Sequence, residues 1–418
     1  MDALMLPLNW QRVRLGDMTT SFTKQTGFDY SASIKPTLIK EQLPNYIPFI
    51  QNKDFLGHYI NYKTDYFIPN EIAIRFPQIL LNEKCLLISI SGAIGNVAVF
   101  NHSQDAFIGG AIAVLKFKEK KSLDFVMHFL MSASGQKLLL NSVKSSSHKN
   151  LTIADLRDLL IPLPPLDEQI AIANILSALD HYLYTLDALI LKKESVKKAL
   201  SFELLSQRKR LKGFNQNWQR VRLGDIGITI SGLAGKTKQD FINGNAKYIT
   251  FLNVLNNVII DTSILENVKI YPNEKQNSFK KYDLFFNTSS ETPKEVGMCA
   301  VLLDDIDQVF LNSFCFGFRI FDKAVDSLFL SYLINSEIGR KAFENLAQGS
   351  TRYNLSKSGF NNVCLILPPL NEQATIANIL SALDSEIISL KNKKRQFDNI
   401  KKALNHDLMS AKIRVLKK

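Results

Sequence analysis

LPPLDEQIAIANILSALD, at residues 163–180, returns almost unchanged as LPPLNEQATIANILSALD at residues 367–384. Only Asp167/Asn371, Ile170/Ala374 and Ala171/Thr375 differ among the eighteen positions. Chance does not produce a match of that length, so the chain carries an internal duplication, and that decides its architecture before any local reading begins. Each copy opens on two prolines and then runs into apolar residues at helical spacing.

A second matched phrase precedes the first. WQRVRLGD stands at residues 10–17 and again at 218–225, an offset of 208 residues, against 204 for the proline phrase. The 204 offset already holds at Phe125/Phe329, Gly135/Gly339 and Lys137/Lys341, so the length difference lies upstream of Phe125. Within that upstream stretch the copies share almost nothing recognisable. A frame is kept in duplicate around material that differs, the pattern expected when two copies must recognise different things.

The proline phrases predict long helices. Asp167 and Asn371 suit N-caps, Glu168 and Glu372 then fall in the first turn where the helix dipole favours them, and the prolines prevent backward extension. Alternating steps of three and four pick out Leu176, Leu179, Leu183, Leu186, Ile190, Lys193, Lys197, Leu200 and Leu204 in one helix. They pick out Leu380, Leu383, Ile387, Leu390, Lys394, Phe397, Lys401, Leu404 and Leu408 in the other. This is a heptad seam interrupted by lysines, the mark of an intramolecular coiled coil. A helix of about 40 residues is about 60 Å long. The twelve linker residues 206–217 span at most about 40 Å, too little to return along it, so the pair is expected to run antiparallel about a pseudo-twofold axis.

The variable regions read as mixed α/β, strand-rich at first. Expected strands are 46–50, 85–90, 96–100 and 111–117 in the first copy, and 247–252, 258–260, 282–286 and 314–321 in the second. Asn243-Gly244 suggests a hairpin turn. Helices are expected at 123–132 and 328–335, each followed by a break at Gly135 or Gly339 and further helix. The fold class is therefore α+β: two mixed α/β domains (1–162 and 213–366) separated by two long antiparallel helices (163–212 and 367–418).

At 418 residues, with 46% hydrophobic and 22% charged residues, the chain has the make-up of a globular protein of two or three domains. Its formal charge of +12 points to a polyanionic partner. Cys85, Cys299, Cys315 and Cys364 form no CxxC pair and the six histidines do not cluster with them, which argues against structural zinc or disulfides and for a reducing compartment. The opening MDALMLPLNW is not expected to act as a signal peptide, and no apolar run approaches a membrane span. A cytoplasmic protein is expected.

The duplicated frame, with its Glu-Gln after the prolines, the helix behind it and two dissimilar domains, resembles the DNA-specificity subunit of type I restriction–modification systems over essentially the full length. That resemblance implies two target recognition domains, each reading one half of a bipartite, asymmetric site on double-stranded DNA. It implies helices that act as a spacer ruler and dock two methyltransferase subunits, which methylate adenine N6 using S-adenosylmethionine. Restriction subunits, with ATP and Mg, would join the same scaffold for cleavage.

A duplex reader needs Lys and Arg for phosphates and Asn, Gln, Ser, Thr or Arg for base edges. The candidates are Ser89, Ser91, Lys144, Ser145, Ser146, His148, Lys149 and Asn150 in the first copy. In the second they are Thr288, Ser289, Ser290, Ser350, Thr351, Arg352, Tyr353 and Asn354. Glu168, Gln169, Glu372 and Gln373 are candidate contacts to partner subunits.

Catalytic motifs are missing. The Pro-Pro pairs are followed by Leu rather than an aromatic residue, as adenine methyltransferase chemistry would need, and there is no Gly-rich cofactor loop. Gly235-Lys236-Thr237 imitates the end of a phosphate-binding loop, but the required first glycine is Ile230. No carboxylate cluster of nuclease spacing stands out. A non-catalytic subunit is expected, with no metal or cofactor of its own; the rival reading is a coiled-coil interaction scaffold without a DNA role.

Overall fold

The computed structural model describes residue 7 and residues 9–142, 150–344, 346–349 and 352–415. It divides into two compact units: Met1–Asp187 with Lys393–Lys418 (unit one), and Ala188–Asn392 (unit two). The long helices run Leu166–Leu205 and Leu370–Met409, so each unit owns one stretch of each.

In unit one the repeated phrases meet. Gln11–Arg14 pairs antiparallel with Leu160–Leu163, Gln11 opposite Leu163, so WQRVRLGD forms a two-stranded ribbon against the strand that leads into the prolines. Trp10 packs edge-on against Phe125, ring centroids 6.3 Å apart. Unit two repeats both features: Gln219–Arg222 pairs with Cys364–Leu367, and Trp218 lies edge-on to Phe329 at 6.3 Å.

An antiparallel sheet follows in unit one, in the order Thr19–Lys24, Ile112–Phe117, Cys85–Ser89, Val97–Phe100. Its inner strands are apolar on both faces because both faces are covered. Leu86, Ile88, Val97, Val99, Ala113 and Leu115 face a core that includes helix Leu123–Met131. Cys85, Leu87, Ala98, Phe100, Ile112 and Val114 face a second core. That core lies beneath a mixed sheet ordered Phe67–Pro69, Tyr46–Ile50, Ala106–Ile108, Leu80–Leu81, its middle pair parallel. The period-two alternation thus sorts side chains between two cores rather than between core and water.

Unit two has the same plan. Its antiparallel sheet runs Gly227–Ser231, Cys315–Ile320, Leu284–Asn287, Cys299–Val301. Its smaller sheet runs Glu266–Val268, Ala246–Ile249, Val309–Leu311, again with one parallel pair. The sequences that look unrelated therefore fold alike, and the difference between copies lies in surface and detail.

Within each unit the helix stretches pair antiparallel, as expected. In unit one Lys401 meets Asp180, and Lys394 Nζ lies 2.6 Å from Asp187. In unit two Lys197 Nζ lies 2.5 Å from Asp384 and Lys193 Nζ 2.8 Å from Glu386. The seam lysines thus reach carboxylates on the facing helix. The leucines do the burying: Leu176, Leu183, Leu186 and Ile190 are buried, as are Leu380 and Ile387. Each fully buried side chain of this size contributes about 1.5–3 kcal/mol.

Several local expectations change. The helices begin one residue before the predicted caps, at Leu166 and Leu370, because the second proline occupies the cap position. Pro165 C=O accepts from Gln169 N at 3.0 Å, and Pro369 C=O from Gln373 N at 3.0 Å. The 247–252 strand stops at Ile249, and helix Phe251–Asn256 begins, capped by Thr250. Residues 258–260 form only an isolated bridge at Ile259. Asn243-Gly244 is not a hairpin: a 3-10 turn, Lys238–Phe241, precedes it, and Gly244 is needed because a Cβ there would sit 2.2 Å from the Val268 backbone. The break between helices falls at Ser132 and Ser336, which cap the second helix by accepting from Gly135 N and Gly339 N. Gly135 lies inside that helix, where a Cβ would meet Phe129 O at 2.0 Å. No helix among the described residues is long and apolar enough to cross a membrane.

Candidate nucleic-acid interface

Each unit brings its two polar candidate segments together in the same way. In unit one Ser91 forms an antiparallel bridge with Asn150, and Leu151 N donates to Ile90 O at 3.0 Å. In unit two Ser289–Ser290 pairs with Tyr353–Asn354, Ser289 opposite Asn354, and Leu355 N donates to Thr288 O at 2.8 Å. Asn150 and Asn354 are equivalent at the 204 offset, and both are exposed. The end of a central sheet strand and the return to the frame thus converge on one edge in each copy, although their sequences differ.

Around that edge in unit one, Asn52 Nδ2 donates to Ser91 O at 2.6 Å. Asn52 also lines a pocket of about 340 Å³ with Gln51, Lys53 and residues 109–112. In unit two the Arg352 guanidinium sits 5.8 Å from the ring centre of Phe314, an aromatic side chain 55% exposed to solvent. Thr288 Oγ1 donates to Phe314 O at 2.8 Å, which holds that turn in place. Lys357 Nζ donates to Ser231 Oγ at 2.7 Å, both residues exposed. Asn52, Lys53, Phe314 and Lys357 were not singled out by the sequence. An exposed phenylalanine reads as ordinary strand residue until its neighbours are known, and Lys53 and Lys357 are two among 51 cations.

Not every candidate faces solvent. Ser89 is fully buried; its hydroxyl donates to Ala93 O and accepts from Asn96 N at 2.9 Å. Ser289 and Ser290 are buried too, and Ser290 Oγ donates to Glu295 Oε2 at 2.6 Å. The hydroxyls of Ser89 and Ser290 are used inside turns, and all three serines are buried away from solvent. Ser91 and Thr288 are half-buried, Tyr353 likewise, and Arg352 is exposed. Lys144, Ser145, Ser146, His148, Lys149, Ser350 and Thr351 lie outside the described residues.

The four residues expected to contact partner subunits are all buried in the chain. Glu168, Gln169, Glu372 and Gln373 are 2%, 3%, 1% and 1% exposed. Arg414 grips Glu168 with two bonds of 2.6 and 2.7 Å, and Arg210, its equivalent, grips Glu372 with two of 2.8 Å. The bond to Glu168 pushes the Arg414 guanidinium still further above its ordinary range. Gln169 Nε2 donates to Pro164 O and Gln373 Nε2 to Pro368 O, both at 2.7 Å. The glutamate and glutamine that open both helices are fold staples, identical because the same junction is built twice.

Lys236, at the end of the imitation phosphate loop, is already committed. Its ammonium donates to Glu274 Oε2 at 2.5 Å and Lys269 O at 2.6 Å, and that bond is the main reason the Glu274 carboxyl titrates below its usual range.

The sequence profile of the type I restriction modification DNA specificity domain matches residues 7–193 and again 215–397. The chain belongs to that family. It is a specificity subunit with two DNA recognition domains, the non-catalytic member of a type I restriction–modification system. The specificity subunit of type I restriction enzyme MjaVIII from Methanocaldococcus jannaschii is 26% identical over 432 residues, covering 99% of this chain and 95% of that protein. A putative MjaX specificity subunit from the same organism is 26% identical over 341 residues, covering 77% of this chain and 76% of its own length. Among solved structures, the system's S subunit from M. genitalium superposes with a TM-score of 0.62 at 16% identity, covering 96% of this chain and 98% of that one, a likeness of fold.

Proposed function

We propose that each recognition domain of this specificity subunit reads one half of a bipartite, asymmetric site on double-stranded DNA, and that the paired helices set the distance between the halves. The observation that carries the reading is the shared edge: Ser91–Asn150 in one domain and Ser289–Asn354 in the other, on the same topology, with different polar and basic side chains around each. Like geometry with unlike chemistry fits two readers of unlike sequence. The net charge of +12 supports phosphate contacts, so binding weakens steeply as salt rises.

In this reading the helices dock two methyltransferase subunits, which carry S-adenosylmethionine and methylate adenine N6. Restriction subunits bring ATP and Mg for translocation and cleavage. The complex works in the cytoplasm, where the DNA is. Because Glu168, Gln169, Glu372 and Gln373 are buried, docking uses other helix residues, and the exposed Ile175, Tyr184, Leu189, Leu191 and Ile388 supply apolar surface for it.

Exchange of residues 18–160 for the equivalent domain of another specificity subunit tests the proposal. Modification-sensitive sequencing of the host genome should show one half of the methylated site changed and the other kept. A change in both halves sinks the modular reading, and genomic adenine methylation unaffected by deleting the gene sinks the DNA role of this chain altogether.

A further inference from the structure

The last residue of the repeated phrase is an aspartate in both copies, and the two copies complete it differently. In unit two Asp384 is saturated: Lys197 Nζ lies 2.5 Å from Oδ1 and Tyr332 Oη donates to Oδ2 at 2.7 Å. In unit one Lys401 likewise holds Oδ1 of Asp180. The position of Tyr332, however, is His128, and Asp180 Oδ2 is buried with no hydrogen-bond partner.

Two imidazoles surround that oxygen. His58 Nε2, from the turn between strands Phe55–Leu56 and Tyr59–Ile60, lies 3.1 Å away. His128 Nδ1, from helix Leu123–Met131, lies 3.8 Å away. The rings stand edge to face with centroids 5.2 Å apart, and the three donor atoms lie within 4.8 Å of one another. His128 is fully buried; its Nε2 is bonded to Ser177 Oγ at 2.9 Å while its Nδ1 has no partner. When the ring carries its N–H on Nε2, toward Ser177, the Nδ1 lone pair faces a carboxylate oxygen 3.8 Å away. Two such acceptors face each other in a buried repulsion that a cation between them would relieve.

We propose that unit one binds a divalent transition ion, zinc foremost, through His58 Nε2, His128 Nδ1 and Asp180 Oδ2. Tetrahedral zinc with bonds of about 2.0–2.2 Å places its ligand atoms about 3.4 Å apart, between the two separations seen here. Two imidazoles and one carboxylate with water in the fourth position is a donor set zinc accepts. Ser177 supplies the outer hydrogen bond that fixes the tautomer of a ligating histidine. The ion ties the 55–60 hairpin of the recognition domain to the frame helix that carries Asp180. Lys401 is its competitor: the ammonium sits 3.2 Å from His58 Nε2 and gives up that lone pair when the ion enters. Unit two, with Tyr332 in place of His128, needs no ion.

The test uses the full-length chain stripped with a chelator and titrated with Co²⁺, followed by its visible absorption, with Zn²⁺ as competitor. One equivalent is expected, displaced by zinc. His128→Tyr, which copies the arrangement of unit two, and His58→Gln, in the turn of the 55–60 hairpin, each lower the affinity by more than about 100-fold, and Ser177→Ala by about 10–100-fold. Lys401→Met raises it. Far-UV circular dichroism establishes that each variant is folded, and His58→Gln decides the matter should His128→Tyr not fold. No absorption at millimolar Co²⁺, or binding retained in a folded His58→Gln, overturns the proposal. Neither readout depends on DNA, so its failure would leave the recognition reading standing.

Discussion

Arg210→Met tests whether the Glu-Gln pair holds the fold together. The substitution keeps most of the aliphatic stem and removes the guanidinium that bonds both oxygens of Glu372. Glu372 is 1% exposed, so its carboxylate would be left in a site closed to water. Breaking a buried pair in this way costs about 3–5 kcal/mol. Two effects reduce it: the Arg210 side chain is 29% exposed, so water can enter where it stood, and Glu372 lies in the first helical turn where the dipole favours a negative charge. The net loss should be about 2–3 kcal/mol. For a unit of this size that lowers the unfolding midpoint by about 5–10 °C. The assay is urea and thermal unfolding of the full chain, run as a double-mutant cycle with Glu372→Leu. The double variant should recover a good part of the loss, since it buries no orphan charge. A change below about 0.5 kcal/mol for Arg210→Met, or a double variant as unstable as the single charges predict separately, would refute the staple and return Glu372 to the list of docking residues.

Arg352→Ala should weaken binding by about 1–3 kcal/mol at the half-site read by unit two and lower the salt slope by about one, measured by fluorescence anisotropy across a salt series; an unchanged slope would place Arg352 off the phosphates. Gly135→Ala forces a Cβ to within 2.0 Å of Phe129 O and should cost about 1–3 kcal/mol in a urea titration, whereas a neutral result would show that the two helices are free to separate. Tyr332, buried and bonded to Asp384, has its hydroxyl pushed well above the ordinary tyrosine range, first by burial. Its contribution is intact below about pH 10 and is lost above it, because the unfolded chain releases that proton while the folded one keeps it; Tyr332→Phe should flatten stability against pH by about 1.4 kcal/mol per unit in that window. Parallel curves for the two proteins would rule the coupling out.

The frame was legible because it is written twice. The duplication located both long helices, and the short linker after the first gave their antiparallel pairing; the ribbons that join 11–14 to 160–163 and 219–222 to 364–367 were not foreseen. What misled was local chemistry judged without its surroundings. Asp167 looks like a cap, but a proline already fills that position. Glu168 and Gln169 look like surface polar residues until Arg414, hundreds of positions later, is seen to cover them. Ser89 and Ser290 looked available because a hydroxyl in a turn and a hydroxyl on a base edge have the same letter. The common topology of the two recognition domains was hidden for a different reason: strand pairing needs buried apolar side chains on alternating faces, and many sequences satisfy that. The cluster around Asp180 was out of reach altogether, since His58 and Lys401 stand 343 residues apart.

That separation bears on synthesis. Unit two is a single run, 188–392, whereas unit one is assembled from chain on either side of it. As the polypeptide leaves the ribosome, the domain that begins first is therefore the one that finishes last. Until residues 401 and 414 emerge, Asp180 and Glu168 wait without their cations, and the apolar stripe of Leu176, Leu183 and Leu186 has no facing helix. Vectorial folding usually proceeds from the N-terminus. Here the first unit cannot complete its helix pairing until the intervening run 188–392 has been translated.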